Sequence, residues 1–388
     1  MSRRKTRLAR VLGIGLSLLA ALHYYIWTRL VRDTALPDPW FWWATLLIAL
    51  LYLSMPGSFY LYLARSRWAK YLVWPGFIWM GMVLILPSWL LCMDTIRWGL
   101  AWFGGFTSPE RQMLALRILG AAAALLSGLT GGMAMFEGLG TPQIRDVDVS
   151  LKRLPKALDG TLVVQLTDIH LGPTIGRGFM ESLVQRCNAL APDIVVITGD
   201  LVDGRVKDLR TAAAPLQDLK ARWGVYFVTG NHDYYSGVEE WLAHLSTLGV
   251  AVLRNERVSI GEPPHTFDLA GIDDPAGRGH PGHGPDLARA LAGRDPSREL
   301  VLLAHQPRAV TEAARHGVGL QLSGHTHGGQ IWPFTWALRL VQPYVAGLTK
   351  LSETTLYVSR GSGYWGPPMR LAAPAEITRI TLRAVAPT

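Results

Sequence analysis

The stretch Leu320–Gln330, LQLSGHTHGGQ, decides how the chain is read. An apolar run about one strand long closes in Ser323-Gly324. Two histidines follow, His325 and His327, with one residue between them, and then Gly328-Gly329. Residues i and i+2 of an extended segment point the same way, so the two imidazoles are expected to enter one cavity. The glycines remove side-chain bulk and permit positive φ where the backbone must crowd that cavity.

The same grammar recurs upstream. TLVVQLTDIHLG ends in Asp168 and His170, and PDIVVITGDLVDG in Asp200. WGVYFVTGNHDYY ends in Asn231, His232 and Asp233, and RELVLLAHQP in His305. Fully apolar runs of this length predict strands covered on both faces. Helical patterns separate them at Arg177–Leu190, Leu209–Ala221, Val238–Leu248 and Pro285–Ala292. The alternation predicts a layered α/β fold, whose ligands bind beyond the carboxyl ends of the strands. Turn chemistry alone would place Asn, Asp, Gly and Ser there. It does not predict histidine at four of five strand ends.

These side chains define a metal chemistry. Carboxylate, imidazole and amide oxygen together suit manganese, iron or zinc rather than the all-oxygen shells of magnesium or calcium. Manganese is the expected ion in vitro. Asp168, His170, Asp200, Asn231, His305, His325 and His327 exceed the needs of one ion. Two divalent ions roughly 3.5–4 Å apart, bridged by one carboxylate, would use them all and would suit in-line displacement at phosphorus.

The N-terminal third reads differently. Mean hydropathy is positive and the 388 residues include 15 Trp. Four runs are long enough to cross a bilayer: Leu8–Val31, Phe41–Leu63, Tyr71–Met93 and Leu114–Phe136, each near the ~20 residues a span requires. Aromatic residues crowd their ends, as at a membrane interface. Residues 1–140 therefore form a predicted all-α bundle of four spans, and residues 141–388 a catalytic domain. Basic residues in MSRRKTRLAR and ARSRWAK place both segments in the cytoplasm by the positive-inside rule. With four spans the catalytic domain is cytoplasmic too. A fifth crossing in DTIRWGLAWFGGF would reverse that. Gly128 and Gly132 form a GxxxG expected to allow close helix packing. His23 reads as a packed histidine within the first span. The net charge of +9 is assigned to anionic lipid. No basic helix with interleaved aromatics supports nucleic-acid binding. Cys92 and Cys187 are not expected to pair.

Asp168-x-His170, Gly199-Asp200, Gly230-Asn231-His232-Asp233, His305 and Gly324-His325-x-His327 resemble, in order, the five signature blocks of the calcineurin-like metallophosphoesterase family. The resemblance implies a four-layer αββα sandwich and a dinuclear centre. One ion would take Asp168, His170, Asp200 and His327, the other Asp200, Asn231, His305 and His325, with Asp200 bridging. His232 would bind the phosphate and protonate the leaving oxygen, with Asp233 orienting its ring. The tail LYVSRGSGYWGPPMRLAAPAEI, Leu356–Ile377, resembles the membrane-anchored branch of the family. Some members of that branch resemble UDP-2,3-diacylglucosamine pyrophosphatases of lipid A synthesis. This implies a hydrolase of phosphodiester or pyrophosphate bonds in a bacterial inner membrane, with membrane lipid around it and a lipid-linked phosphate ester as substrate.

The apolar segment Gln330–Leu348, with Trp332, Phe334, Trp336 and Leu340, reads equally as a membrane-facing lip or as a loop packed over the sheet. Two alternatives stand beside the diester reading: a phosphomonoester or phosphoprotein phosphatase on the same site, and a sensor without turnover. Among other polar residues, His280 and His283 read as a solvated loop and Asp273-Asp274 as a turn. Asp203 reads as support for the Asp200 loop. Arg360 reads either as a phosphate contact or as a partner for a carboxylate.

Overall fold

The structure, a computed structural model, describes residues 3–64 and 68–385. Arg65 and Arg67, which carry much of the charge in the second loop, fall outside the described residues. The chain divides into two compact units: Met1–Phe136 with Gly366–Met369, and Glu137–Trp365 with Arg370–Thr388.

The first unit contains four helices long and apolar enough to cross a membrane. They are α1 (Arg3–Trp27, continued by a π-helical turn to Arg32), α2 (Trp40–Leu63), α3 (Ala69–Trp102) and α4 (Pro109–Leu139). Helix α3 runs unbroken for 34 residues, through Pro75 and Pro87. The segment weighed as a fifth crossing is therefore its last turns and the loop beyond. Close packing falls on other glycines than those expected. A Cβ on Gly131 would lie 2.4 Å from Met82 Sδ, and one on Gly76 would lie 2.4 Å from the Ser54 carbonyl. Gly128 and Gly132 face open space. Polar side chains tie the helices instead. Asp94 accepts from the Tyr25 hydroxyl at 2.8 Å and Arg29 Nε at 3.0 Å. Asp33 accepts from Arg29 at 2.7 Å and Arg97 at 3.1 Å. His23 is a packed residue: one ring nitrogen meets the Leu19 carbonyl at 2.8 Å, and the other accepts from Trp79 at 2.8 Å.

The second unit is built on two six-stranded sheets. The strands are β1 (Gln143–Leu151), β2 (Leu162–Leu166), β3 (Ile194–Thr198), β4 (Val225–Val228), β5 (Ala251–Val252), β6 (Glu256–Glu262), β7 (His265–Gly271), β8 (Leu300–Leu303), β9 (Leu320–Ser323), β10 (Gly347–Leu351), β11 (Thr354–Val358) and β12 (Glu376–Ala384). One sheet has the order β1-β12-β2-β3-β4-β5, the other β10-β11-β9-β8-β7-β6. The five strands expected from the sequence are the parallel centres, β2-β3-β4 and β8-β9.

Alternation across the pleat explains why these runs are apolar throughout. Val163, Ile194 and Val196 pack inward with Phe267, Leu269, Val301, Leu303, Leu320 and Leu322 of the other sheet. Val164, Leu166, Val195 and Ile197 pack outward under α5 (Arg177–Asn188) and α8 (Val238–Thr247), through Met180, Leu183, Trp241 and Leu245. On the far side, Ala270, Leu300 and Leu302 meet Leu287 and Ala290 of α9 (Leu287–Ala290) and Ala313 of α10 (Val310–Arg315). The result is a four-layer αββα sandwich. The helix expected over Leu209–Ala221 is shorter. It is α6 (Val206–Ala213), followed by a 3-10 turn at Ala214–Asp218, because Pro215 cannot donate to the helix.

Phe267 is fully buried between the sheets, whereas His265 on the same strand is exposed. Phe267→Ala is expected to cost about 3–5 kcal/mol and His265→Ala less than about 0.5 kcal/mol, read from guanidinium unfolding of the detergent-solubilised protein. Equal losses would contradict the burial of Phe267 between the sheets.

Candidate metal centre

Every predicted ligand lies at or just beyond the carboxyl end of a strand, and both sheets contribute. β2 leads to Asp168 and His170, β3 to Asp200, and β4 to Asn231, the first residue of α7 (Asn231–Tyr235). From the second sheet, β8 leads to His305 and β9 to His325 and His327. Asp168, His170, Asp200, His325 and His327 all have positive φ, between 50° and 74°. A non-glycine residue there costs on the order of 1–3 kcal/mol. The strain turns successive side chains inward over a very short length of chain. This corrects the extended reading of His325-Thr326-His327. Both histidines are left-handed around a right-handed Thr326, and that turn, not strand alternation, brings them together.

Two glycines make the approach possible. A Cβ on Gly324 would sit 2.1 Å from Asp168 Oδ2, and one on Gly230 would sit 2.2 Å from Asp200 Oδ1. Neither contact can be relieved without moving a carboxylate.

Ligand atoms of Asp168, His170 and His327 lie within 4.8 Å of one another, as do those of Asp200, His305 and His325. Asp200 Oδ2 is 3.2 Å from His305 Nε2 and 3.9 Å from His170 Nε2, so it reaches both groups. His170, Asp200 and His232 form a third such group. The remaining ring nitrogens are committed elsewhere. His170 Nδ1 is 3.1 Å from Asp203 Oδ2, and His305 Nδ1 is 2.8 Å from the Thr198 carbonyl. Each bond leaves Nε2 directed inward, the arrangement metal-ligating histidines use.

The residues fit a pair of cations. His170 Nε2 and His327 Nε2 face each other at 3.0 Å, so two potential donor nitrogens converge on one point. The Asn231 carbonyl oxygen and His305 Nε2 are buried without a hydrogen-bond partner. The titration of the groups expresses the same demand. Burial acts against the charge of Asp200, yet His305 and its other histidine neighbours hold its carboxyl well below the usual range. Burial would neutralise His305, but Asp200 and Asp168 hold it well above the ordinary value, so the carboxylates favour positive charge at its Nε2, either a proton or a cation in its place. His325 is pushed down to about 4 by burial and by His305. It is a neutral imidazole at pH 7, as ligation requires.

Asp233 does not orient the ring of His232. Its Oδ2 accepts the backbone N–H of Gly230 at 2.8 Å and of Asp200 at 3.0 Å. Its Oδ1 accepts the N–H of Leu201 at 3.0 Å. At the third position of a helix the carboxylate folds back on the N-cap, as in one half of a capping box, and so clips the Asp200 loop to the Asn231 loop. The ring partner is Asp203, whose Oδ1 lies 2.6 Å from His232 Nδ1. Asp203 therefore holds His170 and His232 at once. Burial would lower the pKa of His232, but Asp203 and Asp200 push it up to about 9.

Sequence reasoning missed Arg370. It is fully buried, and no carboxylate pairs with it among the described residues. Its guanidinium donates to the carbonyls of Ala373 and Arg360, each at 2.8 Å, and of Gly363, and lies 3.3 Å from His327 Nδ1. The available signal was an arginine inside the apolar run PPMRLAAP. Arg360 pairs with buried Glu376 at 3.0 Å. Asp274 caps the turn at Ala276, as expected, while Asp273 pairs with Arg254 at 2.9 Å. His283 corrects the solvated-loop reading. Its ring is enclosed by Tyr234 at 3.2 Å and Glu239 at 2.5 Å.

Strand-end donors on an αββα sandwich define a class of metal-dependent phosphoesterases, and the comparisons agree. The family pattern described as calcineurin-like phosphoesterase matches residues 161–329. A transmembrane protein with metallophosphoesterase domain from Danio rerio is 37% identical over 95% of this chain and 87% of its own length. Its counterpart from Bos taurus is 44% identical over 74% of this chain and 67% of its own. An uncharacterized metallophosphoesterase from Helicobacter pylori is 40% identical over 68% and 70%. The chain belongs to the calcineurin-like metallophosphoesterase family. It is a membrane-associated hydrolase of phosphoester bonds, from a family that binds pairs of divalent metals.

Asp203→Asn is expected to lower turnover roughly 10–100-fold and to move the alkaline limb of the pH profile downward. The sign follows from the pairing. A raised His232 pKa keeps the imidazolium up to about pH 9, and bound cations can only lower that limit. Removing the Asp203 charge lowers it further. Asp233→Asn is expected instead to destabilise the fold by about 1.5–3 kcal/mol, read as a lower unfolding midpoint. An unchanged alkaline limb in Asp203→Asn would remove Asp203 as the ring partner in turnover.

Proposed function

We propose that this protein hydrolyses phosphodiester or pyrophosphate bonds of lipid-linked substrates, with UDP-2,3-diacylglucosamine as the specific candidate. One ion would be held by Asp168, His170, Asp200 and His327, the other by Asp200, Asn231, His305 and His325. Such a pair supplies an acidified water and positive charge for the phosphoryl oxygens. His232, oriented by Asp203, holds the proton for the leaving oxygen. The catalytic domain lies on the cytoplasmic face of a bacterial inner membrane, a reading supported by four spans and the basic N-terminus.

The observation that carries the lipid reading is α11 (Phe334–Val341), which follows the catalytic histidines. It has no buried residue. Trp336 is 65% exposed and Leu340 87% exposed, with Trp332, Phe334 and Val341 also exposed. The start of the helix is fixed to the site, since a Cβ on Gly329 would meet Thr335 Cα at 2.6 Å. Its other end is fixed by Arg308, which donates to the Val341 carbonyl. An apolar face held rigidly beside a phosphate site and left uncovered suits an acylated substrate.

Purified protein in detergent with manganese is expected to release UMP from UDP-2,3-diacylglucosamine, and Asn231→Ala to abolish release. Failure there, with bis-p-nitrophenyl phosphate still cleaved, would discard that substrate and keep the diesterase. Faster cleavage of p-nitrophenyl phosphate than of the diester would favour a monoesterase instead. Trp332→Ser with Trp336→Ser is expected to lower activity on micellar lipid substrate roughly tenfold and to spare a small soluble diester. Equal loss on both would sink the lip.

A further inference from the structure

His232 has two exposed aromatic neighbours. Tyr235, at the end of α7, places its ring 5.5 Å from the His232 ring at 62°. Trp365 places its ring 5.4 Å away at 69°. Both are open to solvent, Tyr235 at 65% and Trp365 at 37% exposure, while the His232 side chain they both flank is 17% exposed. Rings that serve a core bury both faces, and these leave apolar surface in water beside the cluster of Asp and His side chains.

Their positions are set by the catalytic loops. Gln330, directly after His327-Gly328-Gly329, holds the Trp365 backbone on both sides. Its Oε1 accepts the Trp365 N–H at 3.1 Å, and its Nε2 donates to the Trp365 carbonyl at 3.0 Å. Tyr235 rides on the five-residue helix that begins with Asn231. Each ring is thus fixed relative to a different ligand loop, and the two meet at His232.

We propose that Tyr235 and Trp365 form a ring-binding slot beside His232, which takes a flat group carried on the phosphate ester: a nucleobase, or the apolar face of a sugar. The inference rests on the reading of His232 as the group that faces the ester's leaving oxygen. A substituent on that oxygen lies within one ring's reach of His232. Aromatic side chains bind any flat ring by stacking and bind sugars through their C–H faces, so the slot selects for shape rather than for one base. The substrates it favours are nucleotide or glycosyl phosphodiesters and pyrophosphates, over simple glycerol or alkyl esters.

The test uses full-length protein in detergent with manganese, hydrolysing bis-p-nitrophenyl phosphate. Inorganic phosphate, UMP and glucose 1-phosphate are compared as competitive inhibitors. In the wild type, one or both ring-bearing esters should bind about 5–150-fold more tightly than phosphate. Trp365→Ala and Tyr235→Ala should erase most of that advantage, Trp365→Ala should leave the phosphate inhibition constant within about twofold, and Trp365→Phe should restore the advantage. An advantage for UMP alone assigns a base, and one for both esters a sugar face. If the variants lower kcat and weaken phosphate and UMP equally, the rings only shield His232 and the slot is wrong. The slot is also wrong if the wild type shows no ring advantage while turnover and phosphate inhibition persist. Absence of both turnover and phosphate inhibition removes the parent reading, and the slot with it.

Discussion

The fold is organised around a cost in backbone conformation. Five residues that bear inward-facing carboxylates or imidazoles sit at positive φ, where side-chain-bearing residues are disfavoured. Strain of this kind persists only if the surroundings over-determine it. Here they do. The loop after β3 donates three backbone N–H bonds to Asp233, from Asp200, Leu201 and Val202, and Gly230 donates a fourth. The loop after β9 is held by the His325 N–H on Asp168 at 2.9 Å. Glycines stand wherever a Cβ would displace one of those carboxylates. The sandwich supplies the stiffness: both sheets end at one place, and their shared core fixes how the five loops approach.

That arrangement explains why the site was so legible in the sequence. A donor residue at the end of a buried strand leaves a local trace, an apolar run broken by Asp or His, and five such traces define the class. The core strands were legible for the same reason. What depends on side-chain direction was not. Asp233 and Asp203 flank the same two loops, and spacing does not reveal which faces the His232 ring. The answer lies in the helix start at Asn231, which turns Asp233 back onto backbone donors. The same limit applies to His283, whose loop looks solvated until Tyr234 and Glu239 enclose it. Edge strands left a weak trace as well. β1 alternates buried and exposed residues over its final turns only, and it is recruited by a nine-residue parallel pairing with β12 from the far end of the chain.

The helical unit shows the equivalent limit in an apolar setting. A GxxxG spacing identifies where two helices can approach, but not where they do. The contacts that occur are at Gly76 and Gly131. Hydrophobic burial does not discriminate among faces when the solvent is itself apolar, so polar pairs carry more of the specificity. The Tyr25–Asp94–Arg29–Asp33–Arg97 chain has that character. Removing one member would strand a charge among helices, where an unpaired ionisable group is expensive.

Within the catalytic unit, polarity is distributed in a way that separates chemistry from selection. The charges needed for phosphoryl transfer are buried and cross-braced, each held by another strand end. The apolar groups near them are exposed: Trp336 and Leu340 on α11, Tyr235 and Trp365 beside His232. Those apolar groups stabilise little in the free protein, because their surface stays in water. They gain only when something covers them. A phosphate alone is too small and too polar to do so. On the proposed reading, the part of the substrate that covers them is the part that is not phosphate, and the choice among phosphoesters falls to the rim.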